Sequence, residues 1–398
     1  MGEIDAQAED FRAGARAWIE ENFPRSLAFK NPVPYQNDAP YAEADPDFRL
    51  WRDRLAEKRW GAPGWPVAFG GAGLDPASVR VINEEMTRIG AFSPMRMTGL
   101  TMLGPTLMEY GTPEQQAQHL PPIARGEVRW CQGFSEPDAG SDLAALQTKC
   151  IDMGDHWLVT GQKIWTSGAN HADWCFALVR TDTARKQGGI SFLLIDMKSP
   201  GIDTRPIVLI SGSSHFCEMF LNDVKVPKEN IVGAVNGGWS VAKRLLQFER
   251  DSLSEGRGEG PSLLPLAQEQ VGVDDKGRIA DPDLRTRLIR HEMRARAYTL
   301  TLNRKAAETK ARGAGDGTVA VIKNLGSDVG QTRYELAVEI LGDQGLGWEG
   351  EGYTPQELDA TRQWLHSKAY SIYGGSYEIQ NNIAAKRVLN LPDPAPAR

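Results

Sequence analysis

Four stretches of this 398-residue chain bring together residue types that can do chemistry. The segment Gly133-Phe134-Ser135-Glu136-Pro137-Asp138-Ala139-Gly140-Ser141-Asp142 collects hydroxyls, a proline and two glycines. Short side chains and bare backbone N–H groups in such a segment can approach a polar ligand closely. Gly161-Gln162-Lys163-Ile164-Trp165-Thr166-Ser167-Gly168-Ala169 sets a large aromatic beside two hydroxyls at the end of a strand. An indole face suits a flat ring system, and a neighbouring hydroxyl suits the polar edge of that ring. Either segment alone also has the composition of an ordinary turn.

The third stretch follows Gly237-Gly238. Trp239, Ala242, Leu246, Glu249 and Leu253 are spaced 3, 4, 3 and 4 apart, so Glu249 stands in line with the apolar stripe of a helix. A carboxylate there must be paired, for instance with Arg257, or protonated, or functional. The fourth is Ser371-Ile372-Tyr373-Gly374-Gly375-Ser376-Tyr377-Glu378-Ile379-Gln380, a glycine turn running into a helix with Ser376 as its N-cap. A helix N-terminus behind glycines suits anionic or electron-rich groups, and the same pattern also serves as a plain turn between helices.

Composition narrows what this chemistry can be. The cysteines (Cys131, Cys150, Cys175, Cys217) form no CxxC pair, and the six histidines form no HExxH, so neither a disulfide framework nor a metal centre is expected. Hard chemistry would then fall to an organic cofactor. A net charge of -7 gives no bulk attraction to nucleic acid or anionic membrane. No window approaches 18 apolar residues and the first residues are acidic, so a cytoplasmic protein is expected, with small molecules and proteins as partners.

The elements that must position these segments fall in three blocks. Ile4, Ala8, Phe11, Ala15 and Trp18 recur at helical spacing up to Pro24. A proline-rich stretch (Pro32, Pro34, Pro40, Pro46) reads as a loop. A helical segment around Phe48 to Trp60, a turn region Gly61 to Gly73, and an Asp75-Pro76 helix start with the stripe Val79, Ile82, Met86 and Ile89 follow. Trp51, Trp60 and Trp65 read as packing residues. Residues 130 to 232 alternate as strands around Trp157, Val159, Trp174, Phe176 and Leu178, and in the runs Gly189–Met197 and Glu218–Val226; one antiparallel β domain is expected. Helical periodicity then returns, as in Leu288, His291, Ala295, Tyr298 and Leu302, with His291 as a core or interface residue and Arg285 to Arg296 as a solvated face. The expected divisions are an all-α domain at 1–129, a β-barrel-like domain at 130–235 and a helical bundle at 236–398.

Together the four segments resemble the acyl-CoA dehydrogenase family over nearly the whole chain. The specific matches are Cys131-Gln132-Gly133-Phe134-Ser135-Glu136-Pro137 with Ala139-Gly140-Ser141-Asp142, Gly161 to Ala169, Gly237-Gly238-Trp239, and Tyr373-Gly374-Gly375-Ser376 with Glu378-Ile379-Gln380. The resemblance implies an α+β multidomain fold: an N-terminal helical domain, a central antiparallel β domain and a C-terminal four-helix bundle. It places Gln132, Phe134, Ser135, Trp165, Ser167, Ser376 and Glu378 at FAD, and Ser141 and Arg250 at the thioester-CoA.

Departures from the family pattern sharpen this. Many members carry the catalytic glutamate where this chain has Gly374; a second group carries it just before an arginine on the first bundle helix, where Glu249-Arg250 stands. The implied reaction is proton removal by Glu249 next to a thioester carbonyl held by the Gly374 N–H, and hydride transfer to flavin N5. The product is a trans-2-enoyl-CoA, and the implied electron acceptor is an electron-transfer flavoprotein. The interface Arg-x-Phe-Gly segment is missing after residue 260, Glu339 stands for a glutamine, Asp343 replaces a glycine, and Trp348, Gly350, Gly352 and Tyr353 lengthen the chain before Tyr373. A homo-oligomer, tetramer or dimer, or a hetero-oligomer with a related subunit is implied. The rival readings are a catalytically silent or FAD-sharing subunit, and a flavin oxidase or monooxygenase on the same scaffold.

Overall fold

Helices in this chain repeatedly begin on a side-chain cap followed by proline. Asp45 accepts the backbone N–H groups of Asp47 and Phe48 ahead of Pro46, and Asp75 those of Ala77 and Ser78 ahead of Pro76. Thr112 and Thr354 form capping boxes with Gln115 and Glu357 ahead of Pro113 and Pro355. The cap satisfies a donor the helix cannot, and proline at the first position gives up an N–H that would have been orphaned anyway. This corrects the reading of the proline-rich stretch as a loop, since Pro40 lies in a helix, Ala39–Ala44, and Pro46 opens another. Pro34 lies outside the described residues.

The computed structural model describes residues 2–30, 32, 35–36, 38–254, 262–312 and 318–392, with side chains at all of these except 2–8, 250–254, 306–307 and 309–312. The first block is helical: α1 (Gly2–Asn22), α2 (Ala39–Ala44), α3 (Pro46–Glu57), α4 (Pro76–Arg88), α5 (Gly104–Tyr110) and α6 (Pro113–Ala124). Ala15, Ile19, Phe23, Phe48, Trp51, Trp60, Ile82 and Met86 share one core cluster. Ile4 and Ala8 of the expected stripe are not among the described side chains.

The strands are β1 (Trp130–Gly133), β2 (Lys149–Asp152), β3 (His156–Ser167), β4 (Trp174–Arg180), β5 (Ile190–Asp196), β6 (Ile202–Ile207), β7 (Phe216–Pro227) and β8 (Ile231–Val232). They form one sheet in the order β6-β7-β3-β2-β4-β5-β8, with β1 on β4. The ladders are mostly antiparallel. Two are not: β1 runs parallel to β4, and β2 meets it in parallel at Lys149 and Arg180. The β2–β3 hairpin lies between β1 and β4 in sequence, so the chain comes back to β1 in the same direction. Both faces of β4 are buried. Phe176 and Leu178 face a core shared with Leu107, Leu120 and Ile123 of the preceding helices, while Cys175, Ala177 and Val179 face one shared with Val159, Met219 and Leu221. All four cysteines are buried and free.

After the sheet come α7 (Gly238–Ser254), α8 (Leu264–Gln270), α9 (Pro282–Arg312), α10 (Thr318–Leu341), α11 (Pro355–Ser367) and α12 (Tyr377–Arg387). Contacts gather the chain into two compact units, Met1–Ile207 with Ser214–Phe248, and Val208–Ser213 with Glu249–Arg398. In the second, Leu284, Leu288, Leu336 and Ile340 share a core, and His291 and Tyr298 are buried on the expected stripe of α9. Along 285 to 296, Arg290, Arg294 and Arg296 are exposed, as a solvated face requires, while Arg287 pairs with Asp283 and Glu339 and Arg294 with Asp328 at the surface.

Candidate active site

The pairing of β3 with β7 slips near the end of β3. Lys163 is opposite Met219 and Thr166 opposite Cys217, so Ile164 and Trp165 together face the single residue Glu218. This is a β-bulge, a device that re-aims a side chain. Trp165 takes φ +60 there and is 53% exposed, with its ring edge-on to Phe216 at 6.2 Å. A bulky residue in the left-handed region costs about 1–2 kcal/mol and persists only when its surroundings impose it.

Those surroundings include the first loop. Ile164 N–H donates to the Ser135 carbonyl at 2.9 Å. Lys163 Nζ, fully buried, donates to the carbonyls of Phe134 (3.3 Å) and Leu178 (2.7 Å) and to Glu136 Oε1 (2.8 Å). Glu136 also accepts from the Thr148 and Gln147 backbone N–H groups at 2.9 and 2.6 Å and from the Thr148 hydroxyl. Burial works to raise the Glu136 carboxyl, but the charge and hydrogen bond of Lys163, aided by those other donors, outweigh it and hold it below the usual range. The fold thus brings Phe134 and Ser135 together with Trp165 and Ser167. The Phe134 ring lies in the core, edge-on to Phe176 and Phe192, and its carbonyl is taken by Lys163. Gln132 is half-buried on β1, and Ser141 is exposed at the far end of the loop.

The second unit carries the remaining expected residues. Ser376 caps α12 by accepting the Ile379 N–H, and its hydroxyl and the local backbone hold the exposed Glu378 carboxyl below the usual range. Gly374 and Gly375 have φ +66 and +92, a turn that glycine alone adopts freely. A Cβ on Gly375 would sit 2.4 Å from Gln380 Nε2, which itself donates to the Gly374 carbonyl at 2.7 Å. Tyr373 packs edge-on to Tyr370, whose carbonyl accepts from Ser327.

The buried stripe of α7 runs through Val241, Ala242 and Leu245, with Trp239 and Leu246 partly buried beside it. It is centred one ridge away from the expected line. Glu249, one turn beyond Leu245, is half-buried. The side chain of Arg250, that of Leu253 and all of Arg257 lie outside the described residues. Glu339 is engaged by Arg287, whose hydrogen bond holds its carboxyl below the usual range.

Sequence reasoning missed Glu136 and Lys163, although both lie in the segments it picked out. The signal was present in parity: Lys163 shares a face of β3 with Trp157 and Val159, and a lysine on an apolar face needs a partner.

In the first unit, an outward-turned indole flanked by hydroxyls and loop backbone suits the face and polar edge of a flat heteroaromatic ring. Comparison with known proteins gives that chemistry a family. Models of the N-terminal, middle and C-terminal domains of acyl-CoA dehydrogenase match residues 6–127, 131–224 and 236–389. The chain is 38% identical over 395 residues to the acyl-CoA dehydrogenase IpdE1 of Mycobacterium tuberculosis (strain ATCC 25618 / H37Rv), covering 96% of this chain and 98% of that one. Its fold is similar to a solved structure described as the Tcur3481-Tcur3483 steroid ACAD, with TM-score 0.79 and 28% identity over 97% of this chain and 98% of that one. It is also similar to the ChsE4-ChsE5 complex from Mycobacterium tuberculosis, with TM-score 0.77 and 27% identity over 98% of each chain. Three domain matches in order and a relative aligned from end to end place this chain in the acyl-CoA dehydrogenase family of FAD-dependent oxidoreductases.

Proposed function

We propose that this enzyme dehydrogenates an acyl-CoA thioester between its α and β carbons, with Glu249 as the base and a trans-2-enoyl-CoA as the product. The observation that carries this reading is the contrast between two positions. Glu249 is a half-buried carboxylate one turn beyond the buried stripe of α7, while residue 374 is a glycine at φ +66 with no side chain to offer.

Removing a proton next to a thioester carbonyl creates charge on the carbonyl oxygen, so the site needs a positioned base and a donor to that oxygen. Glu249 takes the proton and the Gly374 N–H donates to the oxygen. FAD, when bound, would supply the two-electron acceptor for the hydride leaving the β carbon. Gln132, Trp165, Ser167 and the backbone N–H groups of Phe134 and Ser135 would hold the flavin, Ser376 and Glu378 would contact FAD, and Ser141 and Arg250 would take the thioester-CoA.

An electron-transfer flavoprotein reoxidises the enzyme. Similarity to the Tcur3481-Tcur3483 steroid ACAD supports a bulky, ring-bearing acyl group, and similarity to it and to the ChsE4-ChsE5 complex supports assembly with a related subunit. The domain divisions at 1–129, 130–235 and 236–398 belong to this proposal. Among the described residues no helix is long and apolar enough to cross a membrane, and a cytoplasmic location fits this reading.

The test is anaerobic. Saturated acyl-CoA thioesters, including a steroid-side-chain thioester, are added to the yellow protein and to Glu249→Gln. Bleaching of the flavin band in wild type, roughly 10²- to 10⁴-fold slower in the variant at equal FAD content, is expected. Undiminished bleaching by Glu249→Gln would sink the assignment of the base. A yellow protein bleached by none of the thioesters would favour the silent subunit, and hydrogen peroxide formed on admitting air during turnover would favour the oxidase.

A further inference from the structure

Lys163 and Glu136 are buried charges that the reaction above does not use, and they lie on the two segments that present Phe134, Ser135, Trp165 and Ser167. Lys163 directs its three protons to the Phe134 carbonyl, the Leu178 carbonyl and Glu136, and the next residue, Ile164, donates to the Ser135 carbonyl. The first loop is therefore fastened to β3 at two successive residues, at Lys163 and at Ile164, where the bulge that turns Trp165 outward begins. The sheet itself has no need of a charge at this place, because an apolar side chain of similar length would fill the space without the desolvation cost of an ion pair. The structure rewards that cost in one way: the pair ties together two backbone segments that are 27 residues apart in sequence.

We propose that the Glu136–Lys163 pair is a positioning device for the flavin, holding the Phe134–Ser135 loop against β3 and keeping Trp165 and Ser167 in the geometry that binds the ring. The proposal rests on the reading of these four residues as FAD contacts.

The test compares wild type, Lys163→Met, the double variant Lys163→Met/Glu136→Gln, and Trp165→Ala as purified holoproteins. FAD dissociation is followed by recovery of free-flavin fluorescence on dilution, alongside thermal melting and the shape of the bound-flavin absorption band. Lys163→Met leaves a carboxylate buried without its cation and is expected to melt earlier. The double variant removes both charges and recovers part of the melting temperature, because a glutamine in place of Glu136 keeps only one acceptor oxygen for the Gln147 and Thr148 N–H groups. It still releases FAD with a dissociation constant raised roughly tenfold or more, and the band of the bound flavin loses its wild-type shape. Recovery of the fold without recovery of the flavin site is the signature of positioning. A double variant with wild-type FAD affinity and band shape would overturn the proposal and make the pair purely structural. Weakened binding in Trp165→Ala beside a wild-type double variant would remove this proposal alone, whereas wild-type binding in Trp165→Ala would remove the contact reading beneath it. If Lys163→Met fails to fold, the double variant carries the test.

Discussion

Gly374 shows how one backbone angle bears on where a base can stand. At φ +66, an L side chain would be held in the left-handed region, and Gln380 already occupies the Gly374 carbonyl. Gly374→Glu, which writes the alternative family base into this chain, is therefore expected to cost about 1–2 kcal/mol, read as a shift in the urea midpoint with unchanged slope. Glu249→Gln, by contrast, changes little in volume, so a folded variant that keeps its FAD and loses turnover reports chemistry. The same scale governs Lys163. Its removal leaves Glu136 charged and dry, and the loss of about 3–5 kcal/mol expected for breaking a buried pair should appear in chemical denaturation of Lys163→Met.

Elements add their own vulnerabilities. The N-cap of α4 rests on Asp75, which accepts from Ala77 at 2.8 Å and Ser78 at 3.2 Å; Asp75→Ala is expected to cost about 1 kcal/mol in thermal denaturation. Helices α1 and α4 are clasped through Glu85, which is 2% exposed and accepts from Arg16, Arg88 and Arg12. Hydrogen bonds from Arg16 foremost, with those from Arg88 and Arg12, overcome burial and hold its pKa at about 2. A folded pKa below the unfolded one contributes stability at higher pH that is lost as pH falls through the folded value, so this clasp weakens from about pH 4 down to about pH 2. His119 sets an earlier limit. It lies edge-on to Trp130 and Trp174, and burial lowers its pKa to about 4. The native state resists protonating it, so stability falls as pH drops from about 6.5 towards 4. Melting temperatures across this range should decline in wild type and decline less in His119→Phe.

At the scale of the whole molecule, the α, β, α order was legible because hydrophobic periodicity changes from helical spacing to alternation near Trp130 and back after Gly238. The cap-proline starts were legible in principle too, since Asp45-Pro46 has the same local chemistry as Asp75-Pro76; counting prolines as loop markers hid it. Glu249 stood out as a carboxylate in an apolar line although the buried stripe proved to run through Val241, Ala242 and Leu245, because helix spacing specifies a face but not which neighbouring ridge a core will cover. Assembly belongs to this scale as well. Co-expression with a related subunit is expected to give one stable complex by size exclusion and mass measurement, and a stable monomer under all conditions would contradict it.

Sequence alone determined the residue types available for chemistry and the local elements that carry them, because turns, caps and periodicity act over a few neighbouring residues. Only the tertiary structure decided that β1 runs parallel to β4, that an extra residue at the end of β3 turns Trp165 outward, and that Lys163 reaches Glu136 and Phe134 from another strand. Strand register and the partner of a buried charge depend on segments distant in sequence meeting in space, and no local pattern encodes that meeting.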